Sequence, residues 1–186
     1  MKLFIIFTFI LTSLTISLKA NSSEKLGELL KEGGKLILIR HAYAPGTGDP
    51  ENFNIKDCTT QRNLNEQGIM ESKYLNKFFL KNKIEIDQVL SSEWCRCKDT
   101  AFYAFKKYKK KSFLNSFYNE KFTHKKSSQI IELKNYVKNW NSKKNLVLVT
   151  HYVVIYELLN LSASPAEIII TDKDFNILRR QIIKSN

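Results

Sequence analysis

The sequence predicts one α/β domain, a three-layer sandwich in which a mostly parallel central sheet is flanked by helices. Three observations predict this class. Short apolar runs alternate with longer segments of helical periodicity from residue 35 to residue 160. The main runs are apolar at nearly every position, as in strands that are buried on both faces. The length of 186 residues and the 43% content of hydrophobic residues suit one domain with its own core, and exclude a collagen-like or wholly disordered chain.

Strands are predicted where apolar runs are short and bounded by turn-forming residues. The first run follows Gly33 and Gly34, and the run at 146–149 (Leu-Val-Leu-Val) is the clearest second core strand. Two further strands flank an Asp-Lys-Asp turn at 172–174. The predicted strands are residues 35–39, 86–91, 146–149, 167–171 and 175–183, with a brief extended piece at 113–117.

Helices are predicted where apolar residues recur every three or four positions, as at Ile130, Leu133 and Val137. The segment between the first strand and the first helix contains two Gly and two Pro residues, which predicts an irregular loop. The lysine-rich run at 106–111 is typical of a solvated helix end. The predicted helices are residues 65–81, 96–108 and 127–140, and one that follows the strand at 146–149 and extends to about Leu159.

Residues 1–20 are expected to be a secretory signal peptide, and residues 21–186 the single folded domain. Lys2 precedes an apolar stretch from Leu3 to Leu18, and Ala20 leads into polar sequence. The apolar stretch is shorter than the roughly 20 residues that a membrane-spanning helix requires. We therefore expect cleavage after Ala20 and a periplasmic or secreted protein, with an uncleaved membrane anchor as the alternative.

Export to an oxidising compartment would permit a disulfide. The three cysteines are Cys58, Cys95 and Cys97. Cys95 and Cys97 are too close in the chain to pair comfortably, so Cys58 is expected to pair with one of them, and the sequence leaves open which. Closing a loop of that length would stabilise the fold by about 4 kcal/mol in the chain-entropy model. A metal site formed by the three thiolates is the alternative.

The composition is strongly basic. Thirty Lys and Arg residues against 18 Asp and Glu give a formal net charge of +12. Such a charge suits a small anionic substrate and also permits binding to nucleic acid. The basic residues are not interleaved with aromatic residues in any known nucleic-acid-binding motif, so we expect no nucleic-acid partner. No membrane contact is expected beyond the signal peptide, and the oligomeric state stays open.

Four basic or imidazole side chains follow predicted strands. Arg40 and His41 come directly after the first strand, His151 follows the second core strand, and Arg96 lies just beyond the strand between them. The carboxyl ends of parallel strands meet at one edge of the sheet, where such folds bind ligands. One histidine at a strand end is usually structural, but two histidines and two arginines at neighbouring strand ends indicate a common site.

These four residues have the chemistry of a phosphate site. Arg40, Arg96 and His151 would surround a tetrahedral oxyanion with hydrogen-bond donors. His41 adds an imidazole, which is nucleophilic when it is neutral. The expected reaction is attack of His41 on phosphorus, followed by hydrolysis of the phosphohistidine by water. No metal and no cofactor is expected, because cationic side chains supply the positive charge.

Four segments resemble motifs of the histidine phosphatase superfamily, whose fold is phosphoglycerate-mutase-like. Residues 38–42 (Leu-Ile-Arg-His-Ala) are similar to its opening Arg-His-Gly signature, and residues 62–68 resemble the segment before its first helix. Residues 91–100 resemble its second phosphate-binding arginine motif, and residues 148–151 (Leu-Val-Thr-His) its closing Thr-His-Gly. The resemblance covers residues 35–160 in the family's order.

The resemblance implies that His41 is the nucleophile, and that Arg40, Arg96 and His151 hold the phosphate. Two residues depart from the family pattern, because Ala42 and Tyr152 stand where the family has glycine. The change to alanine is small. Tyr152 is bulky and is expected to narrow the pocket.

The family's proton donor is usually an acid in the insertion between the second arginine and the last histidine. That insertion is short here, and Glu120 is the best candidate, with a surface glutamate as the alternative. If no acid is present, the enzyme would favour good leaving groups. Arg62 is a further candidate for substrate binding, with a structural ion pair as the alternative. His124 is expected to be exposed.

The sequence therefore favours an exported, metal-independent phosphatase of the histidine acid type that acts on a small phosphorylated substrate. Hydrolysis is favoured over mutase chemistry because the chain lacks the long insertions of the mutases it resembles. A second enzymatic interpretation is dephosphorylation of phosphohistidine proteins or of phosphorylated envelope sugars. The non-enzymatic alternative is an anion-binding relative that keeps the pocket without turnover, which Tyr152 and the unsettled acid would support.

Overall fold

The computed structural model describes residues 24–184 of the chain. The expected signal peptide, residues 1–20, lies outside the described residues. Within them, the structure contains no helix that combines the length and the apolar character of a membrane span. A six-stranded sheet in this range is covered by helices on both faces, which confirms the predicted three-layer α/β sandwich.

The sheet is parallel over four neighbouring strands and antiparallel at one edge. In the described part of the chain its strands are β1 (Leu36–Arg40), β2 (Ile86–Ser91), β3 (Lys109–Lys110), β4 (Asn145–Thr150), β5 (Glu167–Thr171) and β6 (Ile177–Ile182). Their order is β3-β2-β4-β1-β5-β6. β5 and β6 are the antiparallel members, and the mostly parallel sheet predicted from sequence is confirmed.

The helices are α1 (24–31), α2 (Glu66–Lys81), α3 (Cys95–Phe105), α4 (Glu120–Thr123), α5 (Lys126–Asn139) and α6 (Tyr152–Leu159), with 3-10 turns at Cys58–Thr60 and Ser112–Leu114. Local sequence explains two of the ends. The Asn65 side chain accepts a hydrogen bond from the Gly68 N–H and so caps the start of α2. Asn160 takes the left-handed conformation, with φ of 48°, and ends α6.

Two hydrophobic clusters, one on each face of the sheet, form the core. Along β1, Ile37 and Ile39 face the cluster that contains side chains of α1, α2 and α3. Leu36 and Leu38 face the cluster that contains side chains of α5 and α6. Since successive side chains of a strand point to opposite faces, a strand buried on both faces must be apolar throughout. This is the physical reason for the continuous apolar runs in the sequence.

Three features differ from the sequence prediction. The extended piece predicted at 113–117 is wrong, because Ser112–Leu114 form a 3-10 turn whose apolar side chains are buried. The lysine-rich run is a helix end only at Lys106, after which it continues into the edge strand β3. Helices α1 and α4 have no counterpart in the prediction.

The register of the parallel strands brings the predicted site residues to one edge of the sheet. Arg40 lies opposite Thr150 in the β1–β4 pair, and Ser91 lies opposite Val149 in the β2–β4 pair. The residues that follow β1, β2 and β4 therefore leave the sheet side by side. Among them are His41 and His151.

Candidate active site

A cavity of about 680 Å³ opens at the carboxyl ends of β1, β2 and β4. Its lining includes five of the six residues that the sequence singled out, which are Arg40, His41, Arg62, Arg96 and His151. The parallel topology thus brings together side chains that are up to 111 positions apart in the chain, from Arg40 to His151 (151 − 40 = 111).

Glu120, the sixth predicted residue, is not part of the cavity lining. Its side chain is exposed at the start of α4. The carboxylates that do line the cavity are Asp49 and Glu51. The position of Glu120 therefore gives no support to its expected role as proton donor. His124 is exposed, as expected.

His41 is held as a neutral imidazole, and within residues 24–184 only one of its two ring nitrogens makes a hydrogen bond. Its ring is 3% exposed, and Nδ1 lies 2.9 Å from the carbonyl oxygen of Ala42. A carbonyl oxygen can only accept a hydrogen bond, so Nδ1 carries the proton and Nε2 keeps its lone pair. Burial, and then the charge of Arg96, lower the pKa of His41 well below its usual value of 6.5. The ring is therefore an unprotonated nucleophile at neutral pH.

The turn that follows the nucleophile is fixed by two helices. The N–H of Ala42 donates to Oγ1 of Thr100 in α3 over 2.9 Å, and that hydroxyl donates to the carbonyl oxygen of Arg96 over 2.7 Å. On the other side, a Cβ at Gly68 of α2 would lie 2.1 Å from the carbonyl oxygen of Tyr43. Only glycine allows α2 to approach the turn so closely. The alanine at position 42 is fully buried and is part of the hydrophobic cluster that contains side chains of α2 and α3.

His151 is oriented through a chain of polar contacts that begins outside the cavity. The Asn115 amide donates to Glu93 Oε2 over 2.7 Å, and its oxygen accepts from the Glu93 N–H over 2.9 Å. That oxygen also accepts the Ser92 hydroxyl, 3.0 Å away. Ser92 Oγ must then accept from His151 Nε2 at 2.9 Å, which places the ring proton on Nε2. Cys97 Sγ lies 3.5 Å from the same nitrogen.

The two imidazoles are neighbours in an electropositive, buried environment. Their ring centroids are 5.5 Å apart, with an edge-to-face arrangement. Burial and the charge of Arg96 lower the pKa of His151 well below 6.5, as they do for His41. Burial also raises the pKa of the Cys97 thiol to about 12, so this cysteine stays protonated beside the histidine.

Asp49 anchors the arginine from α3. Its two carboxylate oxygens accept from Nη1 and Nη2 of Arg96 over 2.7 and 3.2 Å. One oxygen also accepts from Trp94 Nε1 over 3.0 Å, and the other from the Arg62 N–H over 3.1 Å. Asp49 lies in the loop after β1, whereas Arg96 lies in the first turn of α3. The ion pair therefore joins residues that are 47 positions apart.

Arg62 and Arg40 are held mainly by backbone carbonyl groups. Arg62 donates to the carbonyl oxygens of Gly48 and Ala44. Arg40 donates to the Ala163 carbonyl oxygen over 2.8 Å, and its guanidinium carbon lies 5.8 Å from the centre of the Tyr152 ring. Burial and the neighbouring charge of Arg96 lower the pKa of both Arg40 and Arg62. Three guanidinium groups are thus crowded together with one carboxylate as counterion, which favours the entry of an anion.

Among the arginines that line the cavity, two have a buried guanidinium nitrogen with no partner within residues 24–184. These nitrogens are the Nε atoms of Arg40 and Arg96. Buried polar atoms are normally hydrogen-bonded, and an unpartnered donor next to a cavity is a place where a ligand oxygen stabilises the structure. Tyr152 is expected to narrow the pocket, and its half-buried side chain does line the cavity, where it occupies space that a glycine would leave open.

A disulfide joins the loop after β1 to the start of α3. Cys58 pairs with Cys95, which answers the question that the sequence left open. The Cys95 N–H also donates to Gln61 Oε1 over 2.9 Å. The loop that carries Asp49 and Arg62 is thereby tied to the residue preceding Arg96. Cys97 is a buried free thiol, and a three-thiolate metal site is ruled out by the disulfide.

Solved structures with the same fold identify its class. The protein histidine phosphatase SixA complexed with tungstate matches with a TM-score of 0.57 and 14% sequence identity, over 80% of this chain and 96% of that chain. Phosphoglycerate mutase from Thermus thermophilus matches with a TM-score of 0.54 and 13% identity, over 78% and 97% of the two chains. A phosphoserine phosphatase mutant from Entamoeba histolytica matches with a TM-score of 0.52 and 19% identity, over 73% and 89%.

The chain therefore has the phosphoglycerate-mutase-like fold of the histidine phosphatase superfamily, and the resemblance found in the sequence is confirmed at the level of the fold. No protein-family model matches the sequence, and no curated protein matches it significantly.

Proposed function

We propose that the protein is a phosphatase that hydrolyses phosphomonoesters, or phosphohistidine, through a covalent phosphohistidine on His41. One observation carries the proposal. The neutral ring of His41 keeps its Nε2 lone pair free in a cavity that three arginines also line. The solved structures with this fold include a protein histidine phosphatase and a phosphoserine phosphatase. Both names support phosphatase chemistry here.

The reaction proceeds in two balanced steps. In the first, the Nε2 lone pair attacks phosphorus, the bond from phosphorus to the leaving group breaks, and the leaving group departs with its electron pair and takes up a proton. In the second, water attacks the phosphohistidine, the phosphorus–nitrogen bond breaks, and the electron pair returns to Nε2. The water proton leaves with the phosphate or passes to solvent. The arginines stabilise the charge on the equatorial oxygens throughout.

The buried Nε atoms of Arg40 and Arg96 supply donors for these oxygens, since Nη1 of Arg40 and both terminal nitrogens of Arg96 already donate to protein groups. His151 enters the site with its proton on Nε2, bound to Ser92. A phosphate oxygen near its other nitrogen would favour a second proton there, and the ring would then donate to the anion. This arrangement gives His151 a role in binding and in charge stabilisation.

The proposal includes metal independence and a site that works at acidic pH. Arginine side chains supply the positive charge that a metal ion provides in other phosphoryl-transfer sites. The lowered pKa of His41 keeps the nucleophile unprotonated below pH 6.5 in the free protein. Both properties fit a phosphatase of the histidine acid type.

We also propose that the enzyme acts outside the cytoplasm, in the periplasm or after secretion. The basic and apolar sequence at residues 1–20 supports export. The disulfide between Cys58 and Cys95 supports an oxidising compartment independently, because disulfides are rare in reducing ones.

Two observations favour the alternative of an anion-binding protein without turnover. The terminal nitrogens of Arg96 are bound by Asp49, and Glu120 does not line the cavity. If no group protonates the leaving group and Arg96 stays bound to Asp49, the cavity would bind an oxyanion but would not hydrolyse a phosphate ester.

The test is phosphate release from a panel of phosphomonoesters, including one with an activated leaving group, measured from pH 4 to 8 with a chelator present. The variants are His41→Ala and, as a matched control, His124→Ala, since His124 is exposed and outside the cavity lining. We expect turnover that survives the chelator, vanishes in His41→Ala and is unchanged in His124→Ala. Turnover that persists in His41→Ala would overturn the mechanism. Binding of tungstate without release from any ester would establish the anion-binding alternative.

A further inference from the structure

The cavity is much larger than a phosphate group, and the space beyond the arginines must accommodate the leaving group. Its volume of about 680 Å³ lies within the roughly 300–1,000 Å³ that is typical of pockets for drug-sized ligands. The side chains that border this space therefore select the substrate. If the function proposed above is correct, they define what carries the phosphoryl group.

Five aromatic side chains line the cavity, and three of them form a cluster. Phe53 stacks on Trp94 with ring centroids 5.0 Å apart, and Phe122 meets both rings edge-on at 5.8 and 5.7 Å. Tyr118 and Tyr152 also line the cavity. These five residues, which we call the aromatic wall, come from the loop after β1, the start of α3, the segment before and within α4, and the start of α6.

The aromatic wall adjoins the phosphate end of the cavity directly. The Trp94 ring lies 5.3 Å from the His151 ring, edge-to-face, and its Nε1 donates to Asp49. The wall also continues outward, because Tyr118 is 65% exposed and Phe53 and Phe122 are only half-buried. A substrate whose phosphoryl group reached His41 would have its leaving group against aromatic faces and edges. Such surfaces favour flat rings, which gain contact area together with offset or edge-to-face interaction.

The supply of protons in the cavity favours the same class of substrate. Both carboxylate oxygens of Asp49 accept hydrogen bonds, from Arg96, Trp94 and Arg62. Asp49 is therefore fully used as an acceptor and is poorly placed to donate a proton to a leaving group. The other carboxylate of the lining, Glu51, is exposed to solvent. A leaving group that is stable as an anion depends least on proton transfer, and a phenolate is such a group because phenols ionise near pH 10.

We infer that the substrate is an aryl phosphomonoester, in which the phosphoryl group is carried by the oxygen of an aromatic ring that packs against the aromatic wall. In the first step the phosphorus–oxygen bond breaks and the phenolate departs, taking its proton from solvent. Phosphorylated tyrosine in a protein and a small phenolic phosphate share this chemistry.

Three substrates separate recognition of the ring from the quality of the leaving group. Benzyl phosphate and cyclohexylmethyl phosphate both release a primary alcohol, and only the first carries an aromatic ring. Phenyl phosphate adds the better leaving group. We expect kcat/KM to be about five-fold higher for benzyl than for cyclohexylmethyl phosphate, as an aromatic contact predicts. Phenyl phosphate should exceed both.

Variants of the aromatic wall test whether it causes the preference for benzyl over cyclohexylmethyl phosphate. Tyr118→Leu and Phe122→Leu should each reduce the benzyl preference while leaving inhibition by inorganic phosphate unchanged. Phe102→Leu is the matched control, because Phe102 is also an exposed aromatic residue but does not line the cavity. Because Tyr118 is largely exposed, Tyr118→Leu should fold normally. The test can therefore be made with this variant even if Phe122→Leu fails to fold.

The outcomes separate this inference from the proposed function. Equal kcat/KM for the benzyl and cyclohexylmethyl esters, or a preference that survives both wall variants, would overturn the inference while the phosphatase stands. Release from phosphohistidine but from none of the three esters would overturn the inference alone. No release from the esters or from phosphohistidine would overturn the proposed function, and the inference with it. A higher kcat/KM for a phosphotyrosine peptide than for free phosphotyrosine would support a protein substrate. The reverse order would support a small phenolic one.

Discussion

Removal of the Asp49 carboxylate, by Asp49→Ala, should destabilise the fold and at the same time increase the response of the protein to oxyanions. Asp49 is the counterion of Arg96, and the two side chains are only 16% and 4% exposed. The variant leaves the guanidinium buried among other cationic groups. It also removes the acceptor of Trp94 Nε1 and of the Arg62 N–H.

The size of the effect follows from this burial. Removing one partner of a buried ion pair costs about 3–5 kcal/mol, because the remaining charge stays desolvated without compensation. For a chain of this length, each kcal/mol lowers Tm by roughly 2–4 °C. We therefore expect Tm to fall by about 6–20 °C. An exposed pair gives the matched control, since Glu157→Ala, which frees Lys126, should cost less than about 1 kcal/mol.

Thermal unfolding with and without tungstate is the measurement. In the parent protein, an oxyanion must share Arg96 with Asp49. In Asp49→Ala the oxyanion takes the place of the carboxylate, so tungstate should raise Tm more in this variant than in the parent or in Glu157→Ala. Ligand at 100 times its Kd contributes about 2.7 kcal/mol, enough to restore a large part of the loss. Equal tungstate shifts in all three proteins would refute the reasoning that Arg96 belongs to an anion site.

Three further predictions concern the histidines, the disulfide and the glycine in α2. His41 and His151 have lowered pKa values in the folded protein, so below pH 6.5 the unfolded chain binds protons that the folded chain does not, and stability falls with falling pH. Between pH 6.5 and 5.5 the two histidines together should lower the free energy of unfolding by at most about 2 kcal/mol, measured by urea unfolding. His151→Gln should reduce this pH dependence, and an unchanged dependence in the variant would count against burial of a neutral His151 ring. Cys58→Ser opens a loop with a sequence separation of 37 and should lower the free energy of unfolding by about 4 kcal/mol. A reductant should lower the free energy of unfolding of the parent protein by a similar amount and should not change that of the variant. An equal effect of the reductant on both proteins would contradict this prediction. Gly68→Ala places a Cβ against the backbone of the turn after His41. Phosphatase activity should therefore fall at least ten-fold while tungstate still binds. Full activity of the variant would show that the turn can move to accept the methyl group.

Much of the fold was accessible from the sequence because burial on both faces of the sheet imposes continuous apolar runs. The predicted strand at 86–91 has the bounds of β2, and the predicted helix at 65–81 differs from α2 by one residue. The piece at 113–117 shows the limit of this signal. Buried apolar residues in a 3-10 turn produce the same composition as a short strand.

The residues that we propose bind phosphate could be predicted from the sequence for a related reason. Parallel topology alone requires that residues following β1, β2 and β4 be neighbours, so Arg40, His41, Arg96 and His151 could be grouped by their positions in the sequence. Glu120 could not be placed in the same way, because its segment lies in a connection between strands whose path no periodicity defines.

The remaining site residues depend on contacts between loops. Asp49 meets Arg96 across 47 positions, and Asn115 meets Ser92 across 23. Nothing in the local sequence distinguishes either residue from a surface side chain. A search for the counterion of the clustered arginines is the signal that could have found Asp49, which lies between Gly48 and Pro50 in the loop after β1.

The pairing of β1 with β4 has a consequence for the order in which the molecule can fold. The Lys35 N–H donates to the side chain of Asn145, 110 positions further along, and the two strands pair from this point to Arg40 and Thr150. Contacts of such long range are formed late, because the entropy of closing the intervening loop must be overcome first. His41 is thus synthesised 110 residues before His151 (151 − 41 = 110), and it remains without this partner until β4 has been made. A chain that ends before β4 lacks His151 and cannot form the complete site.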